Sequence, residues 1–248
     1  MTQPATRIFL VRHGQTEWNK QSIFRGLSDV ALDATGQAQA KALGRYFTGI
    51  PLHAIFTSRL VRAQATAQAI FDAQSEHQKV PPLHVEEGLT DLDRGEWEGL
   101  SHEAAKEKYP ALYKEWFTNP ASVSFPGGTS LKDVQRKAWH AFERISREAE
   151  GISVALVSHH IVLRVLLCSL FNLDLNRFRQ FEVEPASISE IRLEFGQLVL
   201  YRLNETSHMK GLPRDPSSME ASPSSDLIGR DVPRLGTRPS SMDALEGG

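Results

Sequence analysis

Three short, wholly apolar runs alternate with helical patterns along the chain, and this alternation restricts the fold more than any other feature. The runs cover residues 8–11, 54–56 and 154–157. Each run is short and has no polar residue at alternate positions, as is typical of strands that are buried on both faces. Strands that alternate with amphipathic helices predict an α/β fold, here a three-layer sandwich with a mostly parallel central sheet and helices on both faces.

Helical spacing is clearest in the second half of the chain. Apolar residues recur at positions 131, 134, 138, 142, 145 and 149, and Ser130 with Asp133 resembles a capping box at the start of that helix. Further on, residues 187–194 and 198–203 have the composition of strands and flank a short turn that contains Gly196. They predict a β-hairpin, and an edge strand in this hairpin would allow a homodimer.

The composition changes after residue 210. Of the 38 residues from 211 to 248, 17 are Gly, Pro or Ser, and this segment has no aromatic residue. Such a segment cannot bury enough apolar surface to offset the entropy that ordering costs. We therefore predict a globular domain over residues 1–210 and a disordered tail over residues 211–248. A tail that folds over a neighbouring subunit or over the mouth of the site is the alternative.

Charge and composition exclude several classes of protein. Lys and Arg number 28 against 30 Asp and Glu, so the net charge of −2 lacks the basic excess expected of a nucleic-acid-binding protein. The longest apolar stretch, residues 161–173, is interrupted by Arg164 and is too short to span a bilayer. The single cysteine, Cys168, excludes an internal disulfide. These features predict a cytoplasmic protein that contacts neither nucleic acid nor membrane.

Cationic side chains and histidines follow the three predicted strands. The first strand runs into Arg12, His13 and Gly14, Arg62 lies in the helix that follows the second strand, and His159 follows the third. The carboxyl ends of parallel strands meet at one edge of a sheet, beside helix N-termini that favour anions. Arginine supplies forked donors that match phosphate oxygens, and glycine lets the backbone approach a ligand closely. A single histidine after a strand is more often structural, but the joint placement at three strand ends predicts a phosphate site.

The same segments resemble the histidine phosphatases, also called the phosphoglycerate-mutase-like superfamily. The match extends in order from about residue 7 to residue 208 and includes LVRHGQTEWN at 10–19, SRLVRA at 58–63, GEWEG at 95–99, PGG at 126–128 and LVSH at 156–159. Residues 123–131 and 203–208 are similar in particular to the metal-independent phosphoserine phosphatases. The resemblance implies a phosphoglycerate-mutase-like α/β fold and a phosphatase activity on small phosphorylated metabolites.

The resemblance also implies roles for five residues. His13 would attack phosphorus and form a phosphohistidine intermediate, and a neutral imidazole is available for this attack near pH 7. Arg12, Arg62 and His159 would hold the nonbridging phosphate oxygens and neutralise their charge in the transition state. Asn19 lies where the family motif places a further phosphate donor. With three cationic groups in place, neither a metal ion nor another cofactor is expected.

The general acid is where this sequence departs from the family. The family usually has a Glu two residues after a Leu, just before the Gly-x-Trp segment, whereas this chain has Asp91 at that position. An aspartic acid can protonate the leaving group near pH 7 if burial among apolar neighbours raises its pKa from about 4. Glu87 is the alternative acid, although its position is typical of a solvated strand end.

Residues over the mouth of the site are expected to select the substrate. Arg25 and Arg94 are candidates for binding a carboxylate or a second anionic group, and the alternative is that both are solvated surface residues. His160 replaces the small residue that commonly follows the second catalytic histidine, so it either contacts substrate or packs against the sheet. The expected partner is a small phosphorylated metabolite such as phosphoserine or a phosphoglycerate-like compound.

The length of the segment after Asp91 favours hydrolysis over mutase activity. Only residues 92–126 separate Asp91 from Gly127, which is too few for the lid insertion that the cofactor-dependent phosphoglycerate mutases carry. Without a lid, water reaches the phosphohistidine and hydrolysis is favoured. Two alternatives stay open, a cofactor-dependent phosphoglycerate mutase and a catalytically weak protein that only binds a phosphorylated ligand.

Overall fold

The computed structural model describes residues 5–21, 23–74, 80–194 and 196–212. Within this part of the chain, six strands form a single mixed sheet. They are β1 (Thr6–Arg12), β2 (Ala54–Thr57), β3 (Leu83–Val85), β4 (Ser153–Ser158), β5 (Ile188–Glu194) and β6 (Gln197–Glu205). Their order across the sheet is β3-β2-β4-β1-β5-β6.

Parallel pairing brings the predicted strand ends together. β1, β4, β2 and β3 pair in parallel, and β5 and β6 add an antiparallel hairpin at one side. The register pairs Arg12 with Ser158, and Thr57 with Val157, so the carboxyl ends of the three predicted strands lie side by side. The mostly parallel sheet and the late hairpin are confirmed.

Helices cover the sheet. The described residues form seven α-helices, which are α1 (Glu17–Lys20), α2 (Ala34–Phe47), α3 (Val61–Ala73), α4 (His102–Lys108), α5 (Pro110–Thr118), α6 (Leu131–Glu148) and α7 (His160–Leu170). Short 3₁₀ helices lie at Glu87–Leu89, Gly95–Trp97, Pro120–Ser122, Leu175–Gln180 and Ser207–Met209. None of the helices in the described part of the chain has the length and apolar character needed to cross a membrane.

The two faces of the sheet carry separate hydrophobic clusters. On β1, Ile8 and Leu10 belong to one cluster together with buried residues of α6 and α7. Phe9 and Val11 belong to the other cluster, together with buried residues of α2 and α3. Successive side chains of a strand point to opposite faces, so the two clusters are the two covered faces of one sheet. The three-layer α/β sandwich is confirmed.

Local sequence sets where the longest helix begins. The Asp133 N–H donates to the Ser130 hydroxyl (3.3 Å), and the Ser130 N–H donates to the Asp133 carboxylate (3.2 Å). This reciprocal capping box satisfies two N–H groups that would otherwise lack a partner at the start of the helix. The predicted start of α6 is confirmed.

The described chain ends against α2. Met209 is buried in the cluster that includes Leu43 and Phe47 of α2, and Leu212 packs against the same cluster. The Leu212 N–H donates to the Met209 carbonyl (3.0 Å). From residue 213 onward the predicted tail lies outside the described residues, and its disorder stays a prediction.

Candidate active site

His13 is held by its backbone at the end of β1. Its N–H donates to the Ser158 carbonyl on β4 (3.0 Å), and its carbonyl accepts from the Ala186 N–H (3.0 Å). The side chain is fully buried. Hydrogen bonds on both sides of residue 13 therefore fix the position of this histidine without any contribution from its own side chain.

The tautomer of His13 follows from its neighbour in the chain. Nδ1 lies 2.6 Å from the Gly14 carbonyl oxygen. A carbonyl can only accept, so Nδ1 carries the proton and Nε2 keeps its electron pair. Nε2 has no hydrogen-bond partner in the described part of the chain. Burial, followed by the positive charge of Arg62, holds the pKa of His13 well below 6.5, so the ring is neutral near pH 7.

Gly14 and Thr66 connect the segment that follows β1 to α3. A Cβ atom at position 14 would lie 2.6 Å from the Gly36 carbonyl oxygen, so only glycine fits this close approach. The Gly14 N–H donates to Thr66 Oγ1 (3.1 Å), and that hydroxyl donates to the Arg62 carbonyl (2.8 Å). Sequence reasoning missed Thr66, because a threonine inside a helix carries no functional signal of its own.

His159 approaches His13 from the end of β4. It is fully buried at the N-cap position of α7, and its ring centroid lies 5.1 Å from that of His13. Nδ1 lies 3.7 Å from the Asp91 carboxylate, and neither ring nitrogen has a hydrogen-bond partner among the described residues. Burial, followed by the positive charge of Arg62, holds the pKa of His159 well below 6.5. Two neutral imidazoles therefore lie next to each other, and an anion bound beside them would favour protonation of His159.

Arg62 is fully buried in the first turn of α3. Its two terminal nitrogens donate to the Ser28 and Gly26 carbonyl oxygens, both at 2.9 Å. Nη2 also lies 3.2 Å from the Asp91 carboxylate, while Nε has no hydrogen-bond partner in the described chain. Burial lowers the pKa of Arg62, the negative charge of Asp91 opposes this effect, and the guanidinium stays protonated near pH 7.

Asp91 lies among cations rather than among apolar groups. Burial alone would raise the pKa of this carboxyl, but the positive charges of Arg62, His160 and Arg94 outweigh burial and lower it. The expectation that apolar neighbours raise the pKa of Asp91 is therefore wrong. The adjacent leucines are indeed buried, yet the carboxylate forms an ion pair with Arg62 at 3.2 Å. With these charges around it, Asp91 is ionised near pH 7.

The alternative acid, Glu87, lies at the surface. Its side chain is 65% exposed and is paired with Arg59 at 3.6 Å. It begins a 3₁₀ turn, whereas the preceding strand β3 already ends at Val85. Asp91, which is buried beside Arg62 and His159, is therefore the better placed of the two carboxyl groups.

Arg12, the last residue of β1, and Asn19, in α1, are both buried. Arg12 donates through Nη1 to the Val183 carbonyl (2.6 Å). Asn19 Oδ1 accepts from the Thr16 N–H (2.9 Å) and from the Thr16 hydroxyl (2.8 Å), which forms the capping box of α1. The Asn19 amide nitrogen has no hydrogen-bond partner in the described part of the chain, so its two N–H donors are available for a ligand.

Arg25 is buried near the reacting groups. Its exposed fraction is only 8%. Burial, followed by the charge of Arg62, lowers the pKa of His13, and the charge of Arg25 adds to this effect. Burial raises the pKa of Asp91, and the charge of Arg25 acts with that of Arg62 to lower it. The alternative that Arg25 is a solvated surface residue is therefore wrong.

Arg94 and His160 are buried as well, at 4% and 2% exposure. The Arg94 guanidinium carbon lies over the rings of Phe24 (4.9 Å) and Trp116 (5.2 Å), in the geometry of cation–π contacts. The solvated alternative is therefore wrong for Arg94 too. His160 is the first residue of α7. Burial raises the pKa of Asp91, and His160 is second to Arg62 among the groups that lower it.

Glu98 is a site residue that sequence reasoning missed. Its carboxylate accepts from the Leu27 N–H (2.6 Å), from the Ser28 N–H (2.9 Å) and from the Ser28 hydroxyl (2.7 Å). Its place in the GEWEG motif, one of the segments that carry the family resemblance, was a sequence signal for a functional role of residue 98. No spacing rule connects it to a loop that lies about seventy positions earlier in the chain.

The structure brings all of the predicted site residues except Asn19, whose hydrogen bonds are to Thr16, into one buried cluster. This cluster combines a neutral imidazole that can attack, guanidinium groups that can hold an anion, and a carboxyl group that can exchange a proton. Among the described residues, no group of three or more His, Cys, Asp or Glu side chains is arranged to bind a metal ion. The arrangement is chemically suited to phosphoryl transfer, in which positioning and charge neutralisation do most of the work.

Comparison with known families extends this interpretation. The model of the histidine phosphatase superfamily (branch 1) matches residues 8–206, which is most of the chain. The chain belongs to this family. The matched range includes His13, Arg62, Asp91 and His159, so this histidine phosphatase contains the whole cluster within its family domain.

Curated relatives and solved structures agree with this assignment. Phosphoserine phosphatase 1 of Hydrogenobacter thermophilus is 33% identical over 205 residues, which are 82% of this chain and 94% of that protein. A 2,3-bisphosphoglycerate-dependent phosphoglycerate mutase of Mesorhizobium japonicum is 32% identical over 206 residues, which are 81% of this chain and 93% of that protein. The structure of YhfR from Bacillus stearothermophilus matches with a TM-score of 0.76 at 27% identity, over 83% of this chain and 100% of that chain. A phosphatase and a mutase are thus both similar to this histidine phosphatase.

Proposed function

We propose that this chain is a metal-independent phosphomonoesterase that hydrolyses small phosphorylated metabolites through a phosphohistidine on His13. The observation that carries the proposal is the buried, neutral ring of His13, whose Nε2 lies unpaired in the described chain beside His159 and close to Arg62. A phosphate dianion fits such a cluster of cations and donors. Membership in the histidine phosphatase family supports the same reaction.

In the first step, His13 Nε2 attacks phosphorus in line with the ester oxygen. The N–P bond forms while the P–O bond to the leaving group breaks. Arg12, Arg62 and His159 hold the nonbridging oxygens and neutralise the charge that spreads over them in the transition state. The Gly14 carbonyl, 2.6 Å from Nδ1, accepts from the N–H of the ring as the ring gains positive charge.

Asp91 supplies the proton that the leaving oxygen needs. Burial raises the pKa of Asp91, but the cations around it, Arg62 first, lower the pKa by more than burial raises it, so the carboxyl starts out ionised. A phosphate dianion on the same cations neutralises them, so substrate binding raises the pKa of Asp91 and lets it carry a proton. After giving this proton to the alkoxide, Asp91 accepts one from the water that attacks the phosphohistidine, and phosphate and neutral His13 are released.

The segment after Asp91 supports hydrolysis over transfer to a second metabolite. Its helices α4 and α5 are short, and Trp116 of α5 is fully buried in the core. Residues of these helices pack in the core, and the rest of the segment is too short to form a long lid as well. Water that reaches the phosphohistidine hydrolyses it.

The second candidate is a phosphoglycerate mutase, which the mutase relative favours. A mutase would depend strictly on 2,3-bisphosphoglycerate, so one assay with and without this compound distinguishes the two activities. A protein that only binds its ligand would incorporate no label at His13 from a labelled phosphoester.

A phosphorylated metabolite with a carboxylate, such as phosphoserine or a phosphoglycerate-like compound, is the proposed substrate class. Arg25 and Arg94 are buried cations close enough to Asp91 to act with Arg62 in lowering its pKa against the opposing effect of burial, and they suit a carboxylate beside the phosphoester. The phosphoserine phosphatase relative supports this class. His160 is proposed as a further substrate contact. The homodimer and the cytoplasmic location stay predictions.

The test is phosphate release from phosphoserine, 3-phosphoglycerate and an aryl phosphate, measured in EDTA. His13→Ala should abolish release, whereas His140→Ala is a matched control, because His140 is an exposed histidine on α6. Release that survives EDTA and disappears only in His13→Ala supports the proposal. Release that EDTA abolishes, or a rate in His13→Ala above a few per cent of wild type, contradicts it.

A further inference from the structure

Glu98 binds a loop of the site from outside the reacting cluster. Residues 25–28, here called the Arg25 loop, donate three hydrogen bonds to its carboxylate. The donors are the Leu27 N–H at 2.6 Å, the Ser28 N–H at 2.9 Å and the Ser28 hydroxyl at 2.7 Å. Both carboxylate oxygens are therefore used on this loop, and hydrogen bonds to an ionised acceptor are the stronger kind.

The opposite side of the Arg25 loop binds Arg62. Arg62 donates to the Gly26 and Ser28 carbonyl oxygens, both at 2.9 Å. The Gly26 carbonyl and the Leu27 N–H belong to the same peptide group, so one peptide group connects the Arg62 guanidinium to the Glu98 carboxylate. Its carbonyl faces the cation and its N–H faces the anion, which is the electrostatically favourable orientation.

Gly26 allows this close arrangement. Its φ of +58° lies in the left-handed region, where a residue with a Cβ is strained. A Cβ atom at this position would lie 1.9 Å from Glu98 Oε1. The glycine therefore serves both the turn of the loop and the approach of the carboxylate.

We propose that Glu98 is a positioning residue for phosphate binding, which acts through the Arg25 loop to hold Arg62 in the orientation that a phosphoryl group needs. This inference rests on the proposed role of Arg62 in binding phosphate. Burial lowers the pKa of Arg62, and the negative charge of Glu98 is among the charges that oppose this effect. Replacing the carboxylate with an amide removes that charge and turns one acceptor into a donor that faces N–H groups.

The experiment measures kcat, KM and the inhibition constant of inorganic phosphate for Glu98→Gln, with phosphoserine and an aryl phosphate as substrates. We expect the inhibition constant to rise about tenfold and kcat/KM to fall by a similar factor on both substrates, because charged hydrogen bonds that orient a phosphate ligand are lost. Glu98→Asp keeps the negative charge on a side chain that is one methylene shorter. Its phosphate inhibition constant and its kcat/KM should lie between those of wild type and Glu98→Gln.

Glu96→Gln is the matched control. It removes the same charge two positions away, where the carboxylate contacts Tyr109 and Lys108 instead of the Arg25 loop. Its kinetic constants should stay at wild-type values. If the phosphate inhibition constant of Glu98→Gln also stays at the wild-type value, the proposal is overturned. A loss that is much larger on phosphoserine than on the aryl phosphate would overturn it too, because Glu98 would then act through Asp91 or through a carboxylate contact of Arg25 and not through the phosphate contact of Arg62.

The failure of this inference is distinguishable from the failure of the proposed function. Activity that survives in His13→Ala contradicts the function, whereas an inactive His13→Ala together with a wild-type-like Glu98→Gln contradicts only the role of Glu98. If Glu98→Gln does not fold, Ser28→Ala replaces it, since it removes only the hydroxyl contact at 2.7 Å. That variant should raise the phosphate inhibition constant about twofold to threefold, less than Glu98→Gln, because two of the three hydrogen bonds between Glu98 and the loop remain, and an unchanged constant would contradict the proposal.

Discussion

The two sides of the phosphate site are built in different ways. On the strand side, His13 and His159 directly follow β1 and β4, and the backbone of His13 is hydrogen-bonded to the end of β4. On the loop side, Arg25 and Asp91 lie on segments outside the sheet. The strand side thus takes its geometry from the sheet itself.

The loop side depends on individual side chains. Ser158 donates its hydroxyl to the Leu89 carbonyl (2.6 Å), which ties the segment before Asp91 to β4. Glu98 holds the Arg25 loop through three hydrogen bonds. The proposed nucleophile, His13, therefore has a position that most substitutions cannot disturb, whereas the proposed acid and the proposed substrate-selecting cations depend on a few replaceable polar contacts.

The largest effect is expected on the strand side. His159→Gln removes a group that becomes cationic beside the phosphoryl oxygens, so kcat should fall on the order of 10²–10³-fold. The loss should be equal for phosphoserine and for an aryl phosphate, because His159 neutralises charge and does not protonate the leaving group. Steady-state rates on both substrates check this. A loss confined to phosphoserine would instead identify His159 as the proton donor.

The second-largest effect is expected on the loop side. Asp91→Asn keeps the shape of the side chain but removes its proton, so the rate on phosphoserine should fall about 10²-fold. An aryl phosphate needs little protonation of its leaving group, and its rate should fall less than about threefold. Asp93→Asn is the control, because this neighbouring carboxylate accepts from the Gly95 N–H (2.9 Å) outside the reacting cluster. If Asp91→Asn lowers the rates on both substrates equally, Asp91 is excluded as the general acid.

The difference between the strand side and the loop side explains which features of the site could be predicted from the sequence. Residues that directly follow an apolar run share the geometry of their strand, so the meeting of Arg12, His13 and His159 followed from periodicity and parallel pairing. The chain alone did not reveal the surroundings of Asp91. Leu89 and Leu92 lie close to it in sequence, whereas its neighbours in space include the cations Arg62 and Arg25 from distant segments, and the cations decide the direction of its pKa shift.

Burial of the loop-side cations was equally hidden. Arg94 is covered by Phe24 and Trp116, which lie on segments far apart in the chain. A local pattern cannot distinguish an arginine beneath such rings from a solvated one, because the covering residues are brought there only by the tertiary fold.

The third effect is a pH dependence of stability that comes mainly from the strand side. Burial and then Arg62 hold the native pKa of His13 and of His159 well below 6.5, and burial also lowers the pKa of His208. Below pH 6.5 the unfolded chain binds protons that the native state does not bind, so stability should fall as the pH is lowered from 7 toward 5. Each such histidine contributes up to about 1.4 kcal/mol per pH unit within this window.

Urea unfolding at pH 7, 6 and 5 measures this dependence. The lowered pKa of Asp91 adds a loss of stability only at a more acidic pH, because its unfolded value is near 4. His159→Gln removes one of the three histidines and should make the dependence less steep than in wild type. A stability that stays constant between pH 7 and pH 5 would contradict neutral histidines on the strand side.

The smallest effect concerns the backbone that supports His13. Ala186 has a φ of +56°, in the left-handed region, and its N–H donates to the His13 carbonyl (3.0 Å). Ala186→Gly relieves a strain of about 1–2 kcal/mol, which offsets the lost methyl burial and the added chain entropy. Ala155→Gly, at an equally buried position of β4, has no such strain to relieve and should lose about 1.5 kcal/mol. The free energies of unfolding of the two variants, measured in urea, should therefore differ by at least about 1 kcal/mol. Ala186→Gly should keep the wild-type kcat, because a peptide hydrogen bond rather than a side chain holds His13. An equal loss of stability in the two variants would mean that position 186 stores no strain.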